Sequence, residues 1–193
     1  MAATVSGSSM AITYRRAVAA DYPALVRIAA DSARDNPEAT ARGHGFLTGH
    51  FDTRKFAEFN ADLGILVADV GGEIAGFLCA TTRRSAVHAP IVQAMLDACR
   101  QARLDGRSLD AFELFNYGPV CIAPKWQGRG LLKGLFGALK RELKGRFEVG
   151  VLFIDADNPH SLQAHERGLG MTRAGGFEFN GRIYHLLAFR CDG

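Results

Sequence analysis

The chain has 193 residues, 48% of them hydrophobic and 22% charged, which is ordinary for a globular protein and long enough to bury a full core. Its formal net charge of +3 comes without a dense run of Lys or Arg, so the charge gives no case for a nucleic-acid partner. The apolar stretches are too short to span a bilayer and the four cysteines include no C-x-x-C pair, so we expect no membrane partner, zinc site or disulfide framework.

The first residues of the chain and its cysteines indicate the cellular compartment of the protein. Residues 1–10, MAATVSGSSM, are small and polar and lack the apolar core of a signal peptide, so we predict a disordered leader there. Residues 11–193 are predicted to form a single domain. Reduced thiols are the default for unpaired cysteines, which indicates a cytoplasmic location.

The first part of this domain is predicted to hold a strand, two helices and a hairpin. Residues 11–18 (AITYRRAV) alternate as a strand, and Asp21 can cap the helix that follows, DYPALVRIAADSAR. Turn-forming residues make 35–50 a loop with at most a helical turn, and a short helix follows from Phe51. The apolar segments LGILVADV and IAGFLCATT flank paired glycines, a pattern that predicts a β-hairpin.

The second part alternates helices with strands. Residues 88–104 have helical spacing and are predicted to be a helical insertion. The segment DAFELFNYGPVCIAP is a predicted strand in which Gly118-Pro119 indicates a bulge or bend. A leucine-rich helix, the buried strand FEVGVLFIDAD, a helix capped by Asn158 and a hairpin turning at Asn180-Gly181 complete the chain.

The resulting order is β-α-α-β-β-α-β-α-β-α-β-β, which predicts a mixed α/β fold. The helix between the strands that end near residues 123 and 155 is a crossover, so these two strands are predicted to be parallel neighbours. Hairpins at both ends make the rest of the sheet antiparallel.

The segment APKWQGRGLLKGLFGALKREL, residues 123–143, places two glycines immediately before the leucine-rich helix. Free N–H groups and the positive end of the helix dipole favour an anion, and glycine lets that anion approach closely, so the segment fits a phosphate site. Two other interpretations stay open. One is a turn that binds nothing; the other is a dinucleotide fold using Gly128, Gly130 and Gly134, with Asp155 on the ribose, which would need repeated βαβ units.

The same helix has a predicted core stripe formed by four leucines: Leu132, Leu135, Leu139 and Leu143. Gly134 and Gly137 lie inside the helix, and each costs about 1 kcal/mol relative to Ala. We therefore expect close packing or close approach of a ligand at these two positions.

Two segments, VCIAPKWQGRGLL and DNPHSLQAHERGLGM, resemble the acyl-CoA-dependent N-acetyltransferase family called GNAT. The family signature Q/R-x-x-G-x-G/A falls on six consecutive residues: Gln127, Gly128, Arg129, Gly130, Leu131 and Leu132. The last of these departs from the pattern, since Gly or Ala is usual there. The second block of the family is carried by Asn158, Ser161 and Gly170-Met171.

The resemblance implies a mostly antiparallel, twisted sheet, splayed between two central parallel strands to admit acyl-CoA, with helices on both faces. It implies acetyl transfer from the co-substrate acetyl-CoA to a primary amine, directly in a ternary complex and without a metal. The acceptor would be a small-molecule or peptide amine, and a homodimer is one compatible assembly. The alternative is a non-catalytic CoA-binding or interaction module.

The resemblance also assigns contacts with CoA. Val120, Cys121 and Ile122 would offer main-chain groups to the pantetheine arm, because a bent strand leaves such groups unpaired. All six signature residues would contact the cofactor, together with Asn158 and Ser161 of the second block.

The N–H groups from Gly128 to Lys133 would face the pyrophosphate of CoA, because they belong to the start of a helix. Arg129 and Lys133 would supply positive charge there.

Acetyl transfer requires a base for the amine, hydrogen-bond donors for the oxyanion and a proton for the departing thiolate. Glu113 lies on the strand where the family often places an acidic base, but the spacing puts Asn116 nearer to that place, on the opposite face. Asn116 can hold a water that Glu113 or Asp155 deprotonates, so the base stays open between these two residues.

Many GNAT enzymes place a tyrosine seven residues after the Asn of the second block, where its hydroxyl approaches the CoA sulfur. His165 stands at that position, and we expect it to act as the acid, with Glu166 raising its protonated fraction. Tyr117 or solvent is the alternative proton donor.

Two remaining features carry weaker expectations. Residues 88–104 are predicted to cover a substrate cleft or a partner subunit through an apolar stripe that includes Met95 and Cys99, or to be a plain surface helix. His44 and His50 have no Cys, Asp or Glu partner at metal spacing, so a surface or substrate-lining role is expected.

Overall fold

The computed structural model describes residues 11–41 and 46–192 of the chain. The leader predicted for residues 1–10 and the loop histidine His44 lie outside the described residues.

The elements follow the predicted order, with three short elements in addition. The strands are β1 (Ile12–Arg16), β2 (Gly64–Val70), β3 (Glu73–Thr82), β4 (Arg103–Leu104), β5 (Arg107–Ser108), β6 (Leu114–Ile122), β7 (Val149–Asp155), β8 (Thr172–Phe179) and β9 (Arg182–Arg190). The helices are α1 (Tyr22–Asp31), α2 (Pro37–Ala41), α3 (Thr53–Ala61), α4 (Pro90–Ala98), α5 (Leu131–Leu143) and α6 (Pro159–Gln163). A π-helical turn, Ala164–Gly168, continues α6. The three additional elements are α2, β4 and β5.

Seven strands form one sheet in the order β1-β2-β3-β6-β7-β9-β8, and β4 pairs with β5 as a separate ribbon. All neighbouring pairs of the large sheet are antiparallel except β6 and β7. These two strands pair only from Leu114 to Asn116 against Val149 to Val151. The predicted mixed sheet with central parallel strands is confirmed, and the dinucleotide fold, which needs a mostly parallel sheet, is wrong.

Helices cover both faces of the large sheet because side chains alternate along its strands. Leu66 of β2 packs in the cluster that contains Leu135 of α5. Its neighbour Ile65 points to the other face and packs with Leu25 of α1 and Phe56 of α3. The expected placement of helices on both faces is therefore confirmed.

The predicted insertion contains a shorter helix than residues 88–104. The helix is α4, and the chain then turns into the β4–β5 ribbon. Met95 and Cys99 are fully buried and pack with side chains of β6, β7 and β9. Met95 and Cys99 therefore cover the protein's own sheet. Ile91 of the same stripe and Val92 line a cavity, so the role of this segment as a wall of a substrate cleft stays a prediction.

Two local predictions also fail for physical reasons. Asp21 precedes α1 without capping it, because its carboxylate accepts hydrogen bonds from the Arg15 guanidinium at 2.7 and 3.0 Å and from the Val18 N–H at 2.8 Å. In α5 the buried stripe begins at Leu131. Leu132 is rotated by about 100° from it and lines a cavity instead.

The predicted bend in β6 is a β-bulge. Tyr117 pairs with Ala80 and Val120 pairs with Leu78, so the two residues of Gly118-Pro119 oppose one residue of β3. Gly118 has a φ of +114°, a backbone conformation that residues other than glycine rarely adopt. The bulge lies just beyond the point where β6 stops pairing with β7, so it contributes to the opening between them.

Candidate active site

A cavity of about 590 Å³ opens where β6 and β7 stop pairing. Residues 116–122 of β6 and 152–155 of β7 form two of its walls, and the starts of α5 and α6 extend it. Small-molecule sites typically measure roughly 300–1,000 Å³. The cavity between separated parallel strands matches the splay that the resemblance implied.

Main-chain groups of β6 face this gap. The N–H of Ala123 donates to the carbonyl of Ala75 on β3 at 2.9 Å, and successive residues of a strand point their main-chain groups to opposite sides. Those of Val120 and Ile122 therefore point toward the gap, whereas those of Cys121 point toward β3. Val120 and Ile122 fit the predicted role toward an amide-bearing ligand, and Cys121 does not.

The glycine turn exposes its backbone to the same cavity. Gly128 and Gly130 have φ values of +72° and +78°, and no atom lies within 4 Å of the place where either would carry a Cβ. The Nε2 of Gln127 donates to the carbonyl of Ile122 at 3.2 Å, which ties the turn to the end of β6. Because the first N–H groups of α5 have no partners within the helix, the turn fits an anionic group.

The basic residues of the signature stand outside the cavity wall. Arg129 and Lys133 are exposed and do not line the cavity. The Arg129 guanidinium lies 5.0 Å from the centroid of the Trp126 ring. Their predicted contact with a pyrophosphate would therefore require their side chains to swing inward.

The turn is also anchored to the β2–β3 hairpin. The Trp126 Nε1 donates to a Glu73 carboxylate oxygen at 3.3 Å, and Lys125 pairs with the same carboxylate at 2.6 Å. These contacts hold the turn in place without occupying its backbone N–H groups.

The second predicted block lies at the start of α6 on the same cavity. The Asn158 Oδ1 accepts the N–H of Ser161 at 3.0 Å, so Asn158 caps α6 as predicted. The structure brings ten predicted cofactor residues to the cavity: Val120, Cys121, Ile122, Gln127, Gly128, Gly130, Leu131, Leu132, Asn158 and Ser161.

His165 also lines the cavity, but its surroundings disfavour its charged form. Its Nδ1 donates to the Ser161 carbonyl at 2.8 Å, so the neutral Nε2 accepts from the Tyr117 hydroxyl, 3.3 Å away. Burial lowers the pKa of His165, against the opposite effect of the Ser161 carbonyl. Glu166, expected to raise the protonated fraction, pairs with Arg173 at 2.8 Å instead. A neutral ring without a proton on Nε2 is poorly suited to the predicted acid role.

Neither predicted carboxylate base is available at the cavity. Glu113 is exposed at the start of β6 and does not line the cavity, because three residues along a strand separate it from Asn116 by about 10 Å and reverse its face. Asp155 does line the cavity, but its carboxylate binds Arg34 at 2.6 Å and Arg182 at 2.9 Å. Burial raises the pKa of Asp155, but the hydrogen bonds from Arg182 and Arg34 outweigh this effect and lower the pKa overall, which makes it a weak base.

A polar chain that the sequence analysis missed enters the cavity from another side. The Asn116 Nδ2 donates to the Thr81 Oγ1 at 3.1 Å, and this oxygen lies 3.0 Å from the Nε2 of His88. Thr81 and Asn116 are partners in the register of β3 and β6, and His88 lines the cavity from the segment before α4. Strand register could have identified Thr81, but no periodic signal in residues 83–89 shows that His88 folds back onto it.

Neither a metal cluster nor a membrane-spanning helix is found in the part of the chain that the structure describes. Within residues 11–41 and 46–192, no three His, Cys, Asp or Glu side chains come together as a metal site. None of the helices in these two ranges is long and apolar enough to cross a bilayer.

The sequence profile described as Acetyltransferase (GNAT) family matches residues 25–171, more than half of the chain. The chain belongs to the GNAT acetyltransferase family. No curated protein sequence matches it. The glycine turn and α6 lie within the residues that this profile matches.

Several solved structures are similar to this GNAT chain. A putative acetyltransferase, yncA from Salmonella typhimurium with its cofactor acetyl-CoA, shares 20% identity with a TM-score of 0.63, covering 94% of this chain and 95% of that one. The ribosomal-protein-S18-alanine N-acetyltransferase from Escherichia coli shares 16% identity with a TM-score of 0.61, covering 94% of each chain. A GNAT family acetyltransferase from Streptococcus agalactiae shares 12% identity with a TM-score of 0.69, covering 93% and 95%. At these identities, the likeness shows the fold alone.

Proposed function

We propose that this protein transfers an acetyl group from acetyl-CoA to a primary amine, directly within a ternary complex and without a metal. The observation that carries the proposal is the continuous cavity that runs from the β6–β7 gap to the glycine turn of α5. The family supports acetyl transfer, and the neighbour yncA is described with acetyl-CoA. A cytoplasmic location and a single domain over residues 11–193 stay predictions.

The residues present fit acetyl-CoA. The main-chain groups of Val120 and Ile122 face the gap as a neighbouring strand would need them, which suits the amides of a pantetheine arm. The open backbone at Gly128 and Gly130 leaves room for a pyrophosphate against the first turn of α5. Both features use main-chain groups that are already in position before the ligand arrives.

Acetyl-CoA supplies the acetyl group as a thioester, and the acceptor nitrogen replaces the sulfur. Direct transfer is supported by the state of Cys121, the cavity cysteine, because burial raises its pKa to about 12. A thiol that stays protonated at neutral pH is a poor nucleophile. For the leaving sulfur we propose the Tyr117 hydroxyl as the hydrogen-bond donor: during transfer its single proton turns from the Nε2 of His165 to the sulfur, and burial, which raises the pKa of Tyr117, keeps that proton on the oxygen.

Acetyl-CoA titration by calorimetry tests the cofactor site. The Gly130→Trp variant should abolish acetyl-CoA binding and the rise in melting temperature that acetyl-CoA causes, because the indole would occupy the open space at the turn. Gly145→Trp is the matched control, since Gly145 has a φ of +76° and equally open surroundings but does not line the cavity. Absence of wild-type binding at millimolar acetyl-CoA would refute the proposal.

Turnover separates the enzyme from a CoA-binding module without activity. A panel of primary amines, including 2-phenylethylamine, ethylamine, spermidine and an alanine-initiated hexapeptide, should contain an acceptor that releases free thiol from acetyl-CoA. Acetyl-CoA binding without thiol release from any of them would favour the module.

A further inference from the structure

The polar chain from Asn116 through Thr81 to His88 is built into the protein. Thr81 is fully buried and Asn116 is 4% exposed. The Asn116 Nδ2 also lies 3.5 Å from the Gly118 carbonyl, which can only accept, so the amide nitrogen is the atom turned toward Thr81. The Thr81 Oγ1 therefore uses one lone pair for Asn116. Toward the Nε2 of His88, 3.0 Å away, it can accept an N–H with its second lone pair or donate its own O–H, depending on the tautomer of the ring.

In the tautomer whose Nε2–H donates to Thr81, the neutral His88 ring keeps a lone pair on Nδ1. Burial lowers the pKa of His88, while Asp62 acts in the opposite direction. The Asp62 carboxylate is itself bonded to the N–H and hydroxyl of Thr82, at 3.2 and 3.3 Å. The other titratable groups that line the cavity are Lys55, Tyr117, Cys121, Asp155, His160, His165 and Tyr184.

We propose that His88, in the tautomer that donates through Nε2 to Thr81, is the general base of the transfer, and this inference rests on the proposed function. Its Nδ1 takes the proton that the acceptor nitrogen loses as the N–C bond forms and the C–S bond breaks. This proton passes to solvent, and the departing sulfur takes its proton from solvent. Thr81 and Asn116 are positioning residues, because they hold the ring through Nε2 and do not themselves accept the proton.

The test compares wild type and His88→Gln with the fastest amine of the panel between pH 5 and 9. We expect kcat to fall by about 100-fold or more, as for loss of a general base, while acetyl-CoA affinity measured by calorimetry is unchanged. With kcat/KM expressed per unprotonated amine, so that ionisation of the substrate is divided out, the acidic limb of the wild-type profile should lie below about pH 6.5, the ordinary pKa of His, and should be absent in the variant. His185 lies on β9 and outside the cavity wall. His185→Gln is therefore the matched control and should keep the wild-type kcat and the acidic limb of the profile.

The positioning role has its own readout. Thr81→Val should lower kcat with little change in KM and shift the His88 titration followed by NMR, and Thr81→Ser should restore both. Wild-type kcat and an intact acidic limb in His88→Gln would overturn the inference while leaving the proposed function standing. A wild-type protein that releases no thiol with any amine would instead refute the proposed function and, with it, the inference.

A second inference concerns the acceptor and rests on the composition of the cavity wall. Six apolar side chains from two segments, residues 46–59 and residues 87–92, line the cavity: Phe46, Leu47, Phe51, Phe59, Val87 and Val92. Among the described lining residues, Asp155 is the sole carboxylate, and two arginines already bind it. A wall of this kind can bury an apolar group of the acceptor. It has no unpaired carboxylate to bind a second positive charge on the acceptor.

The composition points to an acceptor amine that carries an apolar or aromatic group, a substrate class that depends on the proposed function. The value of kcat/KM for 2-phenylethylamine should exceed that for ethylamine by about tenfold or more, because a phenyl ring gains from burial. Spermidine should be a poorer acceptor than 2-phenylethylamine. Thiol release with ethylamine or spermidine at an equal or higher rate would overturn the assignment.

A variant pair links this preference to the wall. Val92→Glu should lower kcat/KM for 2-phenylethylamine and raise that for spermidine, since it adds a carboxylate inside the cavity. Val18→Glu is the control, because Val18 is 55% exposed and lies outside the cavity. An unchanged ratio of the two amines in Val92→Glu would contradict the assignment, whereas loss of acetyl-CoA binding in Val18→Glu would show a general folding effect.

Discussion

Gly134 and Gly137 lie three residues apart in α5, and the same substitution at each should change stability in opposite directions. Gly→Ala inside a helix normally stabilises by about 1 kcal/mol. At Gly137 a new Cβ would find its nearest neighbour, the Arg141 Nη1, at 3.5 Å, an ordinary contact. We therefore expect Gly137→Ala to stabilise the protein by about 1 kcal/mol.

At Gly134 the new methyl would lie 1.9 to 2.5 Å from ring atoms of Tyr14. Overpacking of this kind costs about 1–3 kcal/mol, which exceeds the helical gain. Gly134→Ala should therefore destabilise the protein by about 1 kcal/mol net, or lower its Tm by about 2–4 °C for a chain of this size. In a Tyr14→Ala background the clash is gone, so the same substitution should become stabilising.

Urea denaturation of the four α5 and Tyr14 variants measures these differences directly. Stabilisation by Gly134→Ala in the presence of Tyr14, equal to that of Gly137→Ala, would show that the close packing of Tyr14 does not explain the glycine.

Three further predictions follow from the site and the core. Tyr117→Phe should lower kcat by about 100-fold, as for loss of one transition-state donor, and His165→Gln should lower kcat less. Equal activity of wild type and Tyr117→Phe in the thiol-release assay would exclude the Tyr117 hydroxyl as the donor to the leaving sulfur. Because burial lowers the pKa of His88 and His165, the unfolded chain binds more protons than the folded protein below about pH 6.5. The Tm should therefore fall as the pH drops from 7 to 5, and a variant with Gln at both positions should show a smaller fall in calorimetric scans. Met95→Ala should cost about 3 kcal/mol, since the side chain is fully buried, with unchanged acetyl-CoA affinity; a neutral effect on urea unfolding would contradict its core position.

Much of the fold is readable from the sequence because its signals are local. Paired glycines mark the β2–β3 hairpin, Asn180-Gly181 marks the β8–β9 turn, and Asn158 with Pro159 marks the start of α6. The glycine turn is equally local, since Gly128 and Gly130 need a left-handed backbone whatever surrounds them.

The failed predictions depend on contacts and chain directions that no local sequence pattern shows. Asp21 stands at the N-cap position of α1, but its carboxylate is hydrogen-bonded to the Arg15 guanidinium and does not cap the helix. Glu113 has the right chemistry, yet strand direction places it away from the cavity. His88 reaches Thr81 through a loop whose path no periodicity encodes, so the candidate base became visible only in three dimensions.

The β-bulge at Gly118-Pro119 changes which main-chain groups of β6 are offered to a ligand. The Glu113 carbonyl faces β7 and accepts the N–H of Val149, so regular alternation would present residues 117, 119 and 121 to the gap. The extra residue moves that role to Val120 and Ile122 while the side chains still pack. Recognition through main-chain groups depends on the direction in which the backbone faces and makes few demands on which side chains are present. It is therefore compatible with a fold that is shared with chains at 12–20% identity.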